Sequence, residues 1–150
     1  MAEKPAPRRI VTGHDAAGKA VVLLDAPNPH RMAREEQGVV SYRLWMNEHT
    51  PAEMTGDRDR AATPLGIAPP PAGGVFRIVD FAPMSDAQVA RLDAAHMARS
   101  LGGEHAEGKA RQPRHTFMHR TRSIDYAIVV AGEIDTLLDD SEVHLRAGDC

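Results

Sequence analysis

Cysteine is almost missing from this 150-residue sequence: Cys150 is the only one. A lone thiol excludes an internal disulfide framework and any zinc site built from paired thiolates. At the last position it reads as a plain free thiol, with no chain after it to build a nucleophile's surroundings. Long apolar runs are missing too. The longest, Ala20 to Leu24 and Ala127 to Ala131, fall far short of the roughly 20 residues a membrane-spanning helix needs. Met-Ala-Glu-Lys-Pro opens the chain without the apolar stretch of a signal peptide, so the expected location is the cytoplasm. There is no block of one charge either: 18 basic residues stand against 21 acidic ones, a net charge of −3. That balance lacks the basic footprint of a nucleic-acid binder, and the expected partner is a small molecule, with neither nucleic acid nor membrane. No internal repeat and no strand-helix alternation of the parallel α/β kind is visible.

What is present fits one globular domain over residues 8–150, behind a polar, flexible start at 1–7. Hydrophobic residues make up 42% and charged residues 26%, while 11 prolines and 12 glycines call for many turns. Arg8 to Thr12 and Lys19 to Asp25 read as a hairpin around the loop Gly13 to Gly18. Val39 to Met46 is rich in β-branched and aromatic residues and reads as a strand. Its alternation offers Val40, Tyr42 and Leu44 to one face and Val39, Arg43 and Trp45 to the other. Proline, glycine and charge dominate residues 51–74, a long loop, before Val75 to Phe81 resumes a strand. Residues 85–101 read as a flanking helix: Ser85 can cap it, Val89, Leu92 and His96 fall on one stripe, and Gly102-Gly103 can end it. In the last third, Arg114 to Thr121, Ile124 to Ala131, Ile134 to Leu138 and Val143 to Leu145 read as strands. Gly132-Glu133, then Asp139 to Glu142, then Ala147-Gly148-Asp149 supply the turns. Close turns between strands predict an antiparallel, all-β domain.

The chemistry-bearing residues gather in that last third. Side chains two apart on a strand share a face, so His119 and Thr121 point the same way, and Asp125 opens the following strand. The order His119-x-Thr121, three residues, Asp125, six residues, Gly132, then a strand, a turn and Ala147-Gly148-Asp149 resembles the first motif of the cupin superfamily. That motif runs His-x-His, three or four residues, Glu, six residues, Gly, with a later Pro-Gly-Asp. Thr121 stands where the second histidine would be, and Asp125 where the glutamate would be. The run His119-Arg120-Thr121 followed by Asp125-Tyr126 also looks like the small cupins of polyketide and related secondary-metabolite pathways.

The resemblance implies a jelly-roll barrel, left incomplete because the second motif and its histidine would lie past Cys150. The chain then reads as the front part of a longer frame. It further implies one divalent metal, of the iron, manganese, zinc or nickel kind, with His119 and Asp125 as ligands. Thr121 is then a hydrogen-bond donor to substrate, with Arg120 and Trp45 also in contact with it. A homodimer formed through the N-terminal hairpin is a further implication. The leading functional expectation is a lyase or isomerase acting on an acidic metabolite, such as a decarboxylase or dehydratase. Two others stand beside it: a non-enzymatic ligand-binding cupin, and an inactive fragment. Lys109, Arg111, Arg114, Arg120 and Arg122 flank the motif without an intervening acid and can draw an anion to it. A helical His115-x-x-x-His119 metal pair is the competing local reading, opposed by Pro113, Thr116 and Phe117. The acids Glu133, Asp135, Asp139, Asp140 and Glu142 read as outer turn residues, and His144 as outward-facing.

Overall fold

A computed structural model describes residues 4–53, 56, 58–66, 68–93, 114–119 and 121–150. The chain forms two compact units, one of Met1–Leu65 with Pro69–Asp86, the other of Gly66–Ala68 with Ala87–Cys150.

The first unit opens with the expected hairpin. Strand β1, Arg8–His14, pairs antiparallel with β2, Ala20–Pro27, from Arg8↔Pro27 to His14↔Ala20. Asp15 organises the loop, because its carboxylate accepts the amides of Ala17 and Lys19 at 2.9 Å each while Gly18 supplies the positive φ of 77°. A bulge interrupts the ladder where Val11↔Leu24 is followed by Thr12↔Val22, leaving Leu23 extra.

A second sheet has the order β3-β4-β5, with β3 at Arg31–Arg34, β4 at Val39–Asn47 and β5 at Gly74–Phe81. Strand β3 has no apolar alternation to announce it. It exists because a 3-10 turn at Glu35–Gln37, closed by Gly38 in the left-handed region at φ 63°, folds it back onto β4. The centre of this sheet carries the first unit's core, with Tyr42 3% and Met46 1% exposed on β4 and Ala61, from the loop after it, 1% exposed.

The facing of β4 differs from simple alternation. Arg43 pairs with Arg77 but Trp45 pairs with Phe76, so Leu44 is an extra residue on β4. Directly opposed residues share a face, and β5 alternates without interruption. Tyr42 and Trp45, opposite Ile78 and Phe76, therefore lie on one face, and Arg43 and Met46, opposite Arg77 and Val75, on the other. Trp45 is thus moved to the face of Tyr42, and the bulge lets one strand send a buried side chain to each side.

The described residues from 51 to 73 are irregular, apart from a 3-10 turn at Arg60–Ala62. The loop returns so tightly that a Cβ on Gly73 would lie 1.9 Å from the carbonyl oxygen of Asn47, which only glycine permits.

The flanking helix is far shorter than its sequence pattern. Helix α1 spans Asp86–Val89, and the amides of Arg91 and Leu92 then bond three residues back, to Gln88 and Val89, as turns. None of α1 is buried, and a short helix without a covered apolar face lacks what usually holds it. Residues 94–101 of the expected helix lie outside the described residues.

In the second unit, β6 at Glu133–Leu137 and β7 at Glu142–Arg146 form the expected hairpin, from Glu133↔Arg146 to Leu137↔Glu142. Two expected strands fail. Arg114 to Thr121 is a turn in its described part: the amide of Met118 donates to the His115 carbonyl, and the amide of Phe117 to the His115 ring at 3.2 Å. A side chain that accepts from its own neighbourhood diverts the backbone from a ladder. Ile124 to Ala131 does not fold back on β6. Gly132, at φ 75°, kinks the chain instead of reversing it, so the segment runs on beside the residues after β7. There Val129 donates to Asp149 and accepts from Gly148, and Gly132 accepts from Ala147. The Ala147-Gly148-Asp149 turn is as expected, closed by the Asp149 amide on Arg146, with Gly148 at φ 98°.

The expected all-β class therefore holds, the described strands lying in three small antiparallel sheets. Among the described residues of the second unit no side chain is buried. No helix among the described residues is long and apolar enough to cross a membrane.

Candidate functional site

Three residues of the motif region, Thr121, Ser123 and Asp125, are tied together by short-range bonds that follow from their spacing. Residues 121, 123 and 125 recur every second position, and their side chains form a chain of hydrogen bonds. Thr121 Oγ1 lies 2.7 Å from Ser123 Oγ, and Ser123 Oγ donates to Asp125 Oδ1 at 2.9 Å. Because the Ser123 proton goes to the carboxylate, Thr121 must give its own proton to Ser123. Thr121 Oγ1 is therefore left with lone pairs only, an acceptor where the sequence suggested a donor.

His119 is exposed and its Nδ1 lies 2.9 Å from the carbonyl oxygen of Phe117. A carbonyl only accepts, so Nδ1 carries the proton and Nε2 keeps its lone pair. That is the arrangement a metal-ligating imidazole uses, one nitrogen oriented by an acceptor and the other left for the ion. Asp125 likewise keeps Oδ2 after Oδ1 is taken. Both atoms suit a divalent cation, but no group of three His, Cys, Asp or Glu among the described residues could hold one together. His119 and Asp125 would in any case supply two donors, fewer than the three or more that protein sites generally use.

Other expected participants are placed differently. Trp45 is half-buried on β4 of the first unit, and Arg120, Lys109 and Arg111 lie outside the described residues. Arg114 is already engaged: it donates to the carbonyls of Leu138 and Ser141 at 3.0 and 2.9 Å and reaches Glu142 at 3.3 Å, which clamps the β6–β7 turn. Residues 115–119 form a turn, so the helical His115 and His119 pair is absent. His144 does face outward, between Asp135 at 2.8 Å and Glu133 at 3.5 Å.

Sequence reasoning missed a second cluster, in the first unit. Arg9, only 4% exposed, donates through Nη1 and Nη2 to the two oxygens of Asp59, and through Nη1 to the carbonyl of Leu44 at 3.2 Å. His30 Nε2 approaches Asp59 Oδ2 at 2.8 Å. Asn28, 2% exposed, bonds the Arg43 carbonyl and the His30 amide at 2.8 Å each. The bulge at Leu44 explains the meeting point: where the β4 ladder is disrupted, the carbonyls of Arg43 and Leu44 are taken by buried side chains. The only local signal was Asp59, whose carboxylate also caps the 3-10 turn through the Ala61 amide. Its partners are 29 and 50 residues away.

Burial works to raise the Asp59 carboxyl, but hydrogen bonds from Arg9, His30 and the Ala61 amide, together with the Arg9 charge, outweigh it. They hold it at about 2, below the ordinary 3.8. A lowered carboxyl contributes stability that is complete above the unfolded value and is lost as pH falls through the folded one. Denaturant titrations read by the fluorescence of Trp45, the only tryptophan, should therefore lose at most about 2 kcal/mol from this group between about pH 5 and pH 2. In Asp59→Asn that component of the slope should vanish.

No family model matches the sequence. Curated relatives do match along nearly the whole chain. It is 32% identical over 148 residues to the cupin-domain-containing oxidoreductase virC of Hypocrea virens, covering 94% of this chain and 59% of that protein. It is 32% identical over 151 residues to phomopsin biosynthesis cluster protein C' of Diaporthe leptostromiformis, covering 95% and 64%. Against the cupin-domain-containing oxidoreductase fogC of Aspergillus ruber it is 26% identical over 145 residues, covering 94% and 57%. The chain thus spans between 57% and 64% of the length of these relatives.

Proposed function

We propose that this chain, which belongs to the cupin superfamily, serves a metal-dependent reaction on a small acidic metabolite of secondary metabolism. His119 Nε2 and Asp125 Oδ2 are its contribution to a divalent ion. The observation that carries this is the Nδ1-protonated state of His119, fixed by the Phe117 carbonyl, together with an Asp125 oriented by Ser123. The ion, of the iron, manganese, zinc or nickel kind, would polarise a carbonyl or carboxylate oxygen. Thr121 accepts a hydrogen bond from the substrate, and Arg120 offers it a cation.

The reaction class proposed is a lyase or isomerase, which a polarised carboxylate or enol serves directly. Oxidoreduction is the second reading, favoured by the printed names of two relatives.

Metal content after equilibration with each of the four ions and desalting tests the ligand pair. His119→Ala and Asp125→Ala should each lower retained metal at least tenfold, while Ser123→Ala should lower it less, because it orients a ligand without being one. Equal metal in all four proteins would remove both residues from the site.

A further inference from the structure

The chain of hydroxyls at Thr121 and Ser123 has a direction, and the direction bears on what the site takes. Ser123 Oγ has one proton, and it goes to Asp125 Oδ1 at 2.9 Å. The 2.7 Å contact between Thr121 Oγ1 and Ser123 Oγ must then use the Thr121 proton. A carboxylate at the end of the chain holds this polarity, because a hydrogen bond to a charged acceptor is stronger than one between neutral groups. Among the described residues Thr121 Oγ1 makes no other hydrogen bond, so it offers lone pairs and no hydrogen. Thr121 is half-buried, where setting an acceptor against another acceptor costs more than it does in water. A carbonyl or ionised carboxylate oxygen placed against Thr121 is therefore rejected, and a hydroxyl is welcomed.

We propose that the site selects a 2-hydroxy acid over the corresponding 2-oxo acid, with Thr121 as the specificity-determining residue and Ser123 as the residue that sets its polarity. The proposal rests on the reading of His119 and Asp125 as ligands of a divalent ion. Thr121 is two hydrogen bonds from Asp125, so a ligand that meets both the ion and Thr121 needs a hydroxyl close to its carboxylate. A 2-hydroxy acid has that arrangement. Its 2-oxo counterpart offers the ion the same carboxylate on the same skeleton and differs only in an oxygen that has no hydrogen to give. Thr121 reads that one difference. The class is narrower than an acidic metabolite at large, and it suits a dehydratase, whose substrate must carry a hydroxyl, better than a decarboxylase of oxo acids.

The test is an NMR titration of the full chain, equilibrated with Zn²⁺ and desalted, with 2-hydroxypropanoate and with 2-oxopropanoate. The two acids differ in their own affinity for zinc, so the quantity read is the ratio of their affinities in each variant against the parent. Thr121→Val keeps the shape and loses the acceptor, and it should lower the preference for the hydroxy acid roughly tenfold. Thr121→Ser, which keeps the hydroxyl, should preserve it. Ser123→Ala should shift the ratio toward the oxo acid, because the Thr121 proton is then free to be donated. That shift is one a merely structural role for Ser123 would not produce. A ratio unchanged in Thr121→Val or in Ser123→Ala would overturn the inference and leave the metal reading standing. Failure of the parent to bind either acid would overturn it as well, and the zinc retained after desalting then shows whether the metal reading falls with it.

Discussion

Asp59→Ala is expected to cost the first unit about 3–5 kcal/mol, because it strands a guanidinium already out of water. Arg9 is 4% exposed, its Nε has no partner, and it would keep only the Leu44 carbonyl. The same change removes the partner of His30 and the cap of the Arg60–Ala62 turn. Denaturant unfolding followed through Trp45 reads the effect in the sheet where it arises. The control is a double variant, Arg9→Met with Asp59→Ala, which discards the charge together with its counterion. It should be less damaging than Asp59→Ala alone, since a buried pair replaced on both sides is often near neutral. A single variant within about 0.5 kcal/mol of the parent would show that the cation is solvated in solution.

Met46→Ala is the other large effect, expected at about 2–5 kcal/mol. Met46 is the largest fully buried side chain among the described residues, at 1% exposed. Its removal leaves a cavity in a unit whose other buried apolar residues, among those described, are Tyr42 and Ala61. Met46→Leu keeps the volume and should cost less than about 1.5 kcal/mol. If both variants lose the same amount, shape rather than volume governs the site.

How much of this was legible depended on how far apart the deciding partners lay. Strands β1, β2, β4 and β5 were readable from their β-branched composition, and the β6–β7 hairpin from the acidic turn between its strands. The Thr121, Ser123 and Asp125 chain follows from an alternation visible in sequence. Strand β3 was not readable, because Arg31-Met32-Ala33-Arg34 is a strand only through its pairing with β4. The stretch from Arg114 was read as strand from its threonine and phenylalanine, but the His115 ring, as a local acceptor, turns the chain there. The parity of β4 was misread beyond Arg43 because an inserted residue leaves no mark in composition. The Arg9, His30 and Asp59 cluster was invisible for a related reason: three titratable groups meet only once β1, the start of β3 and the loop have been brought together.

The surplus residue in β4 has one more implication. Omitting Leu44 would leave a flawless run of cross-strand pairs, since Arg43↔Arg77 and Trp45↔Phe76 would simply become consecutive. Such a strand would be better sheet and a worse protein: the oxygen that receives Arg9 would be spent on, or lost from, the regular pattern. The imperfection is what lets an interior cation be solvated by main chain, and tidying it away would be a misguided stabilisation.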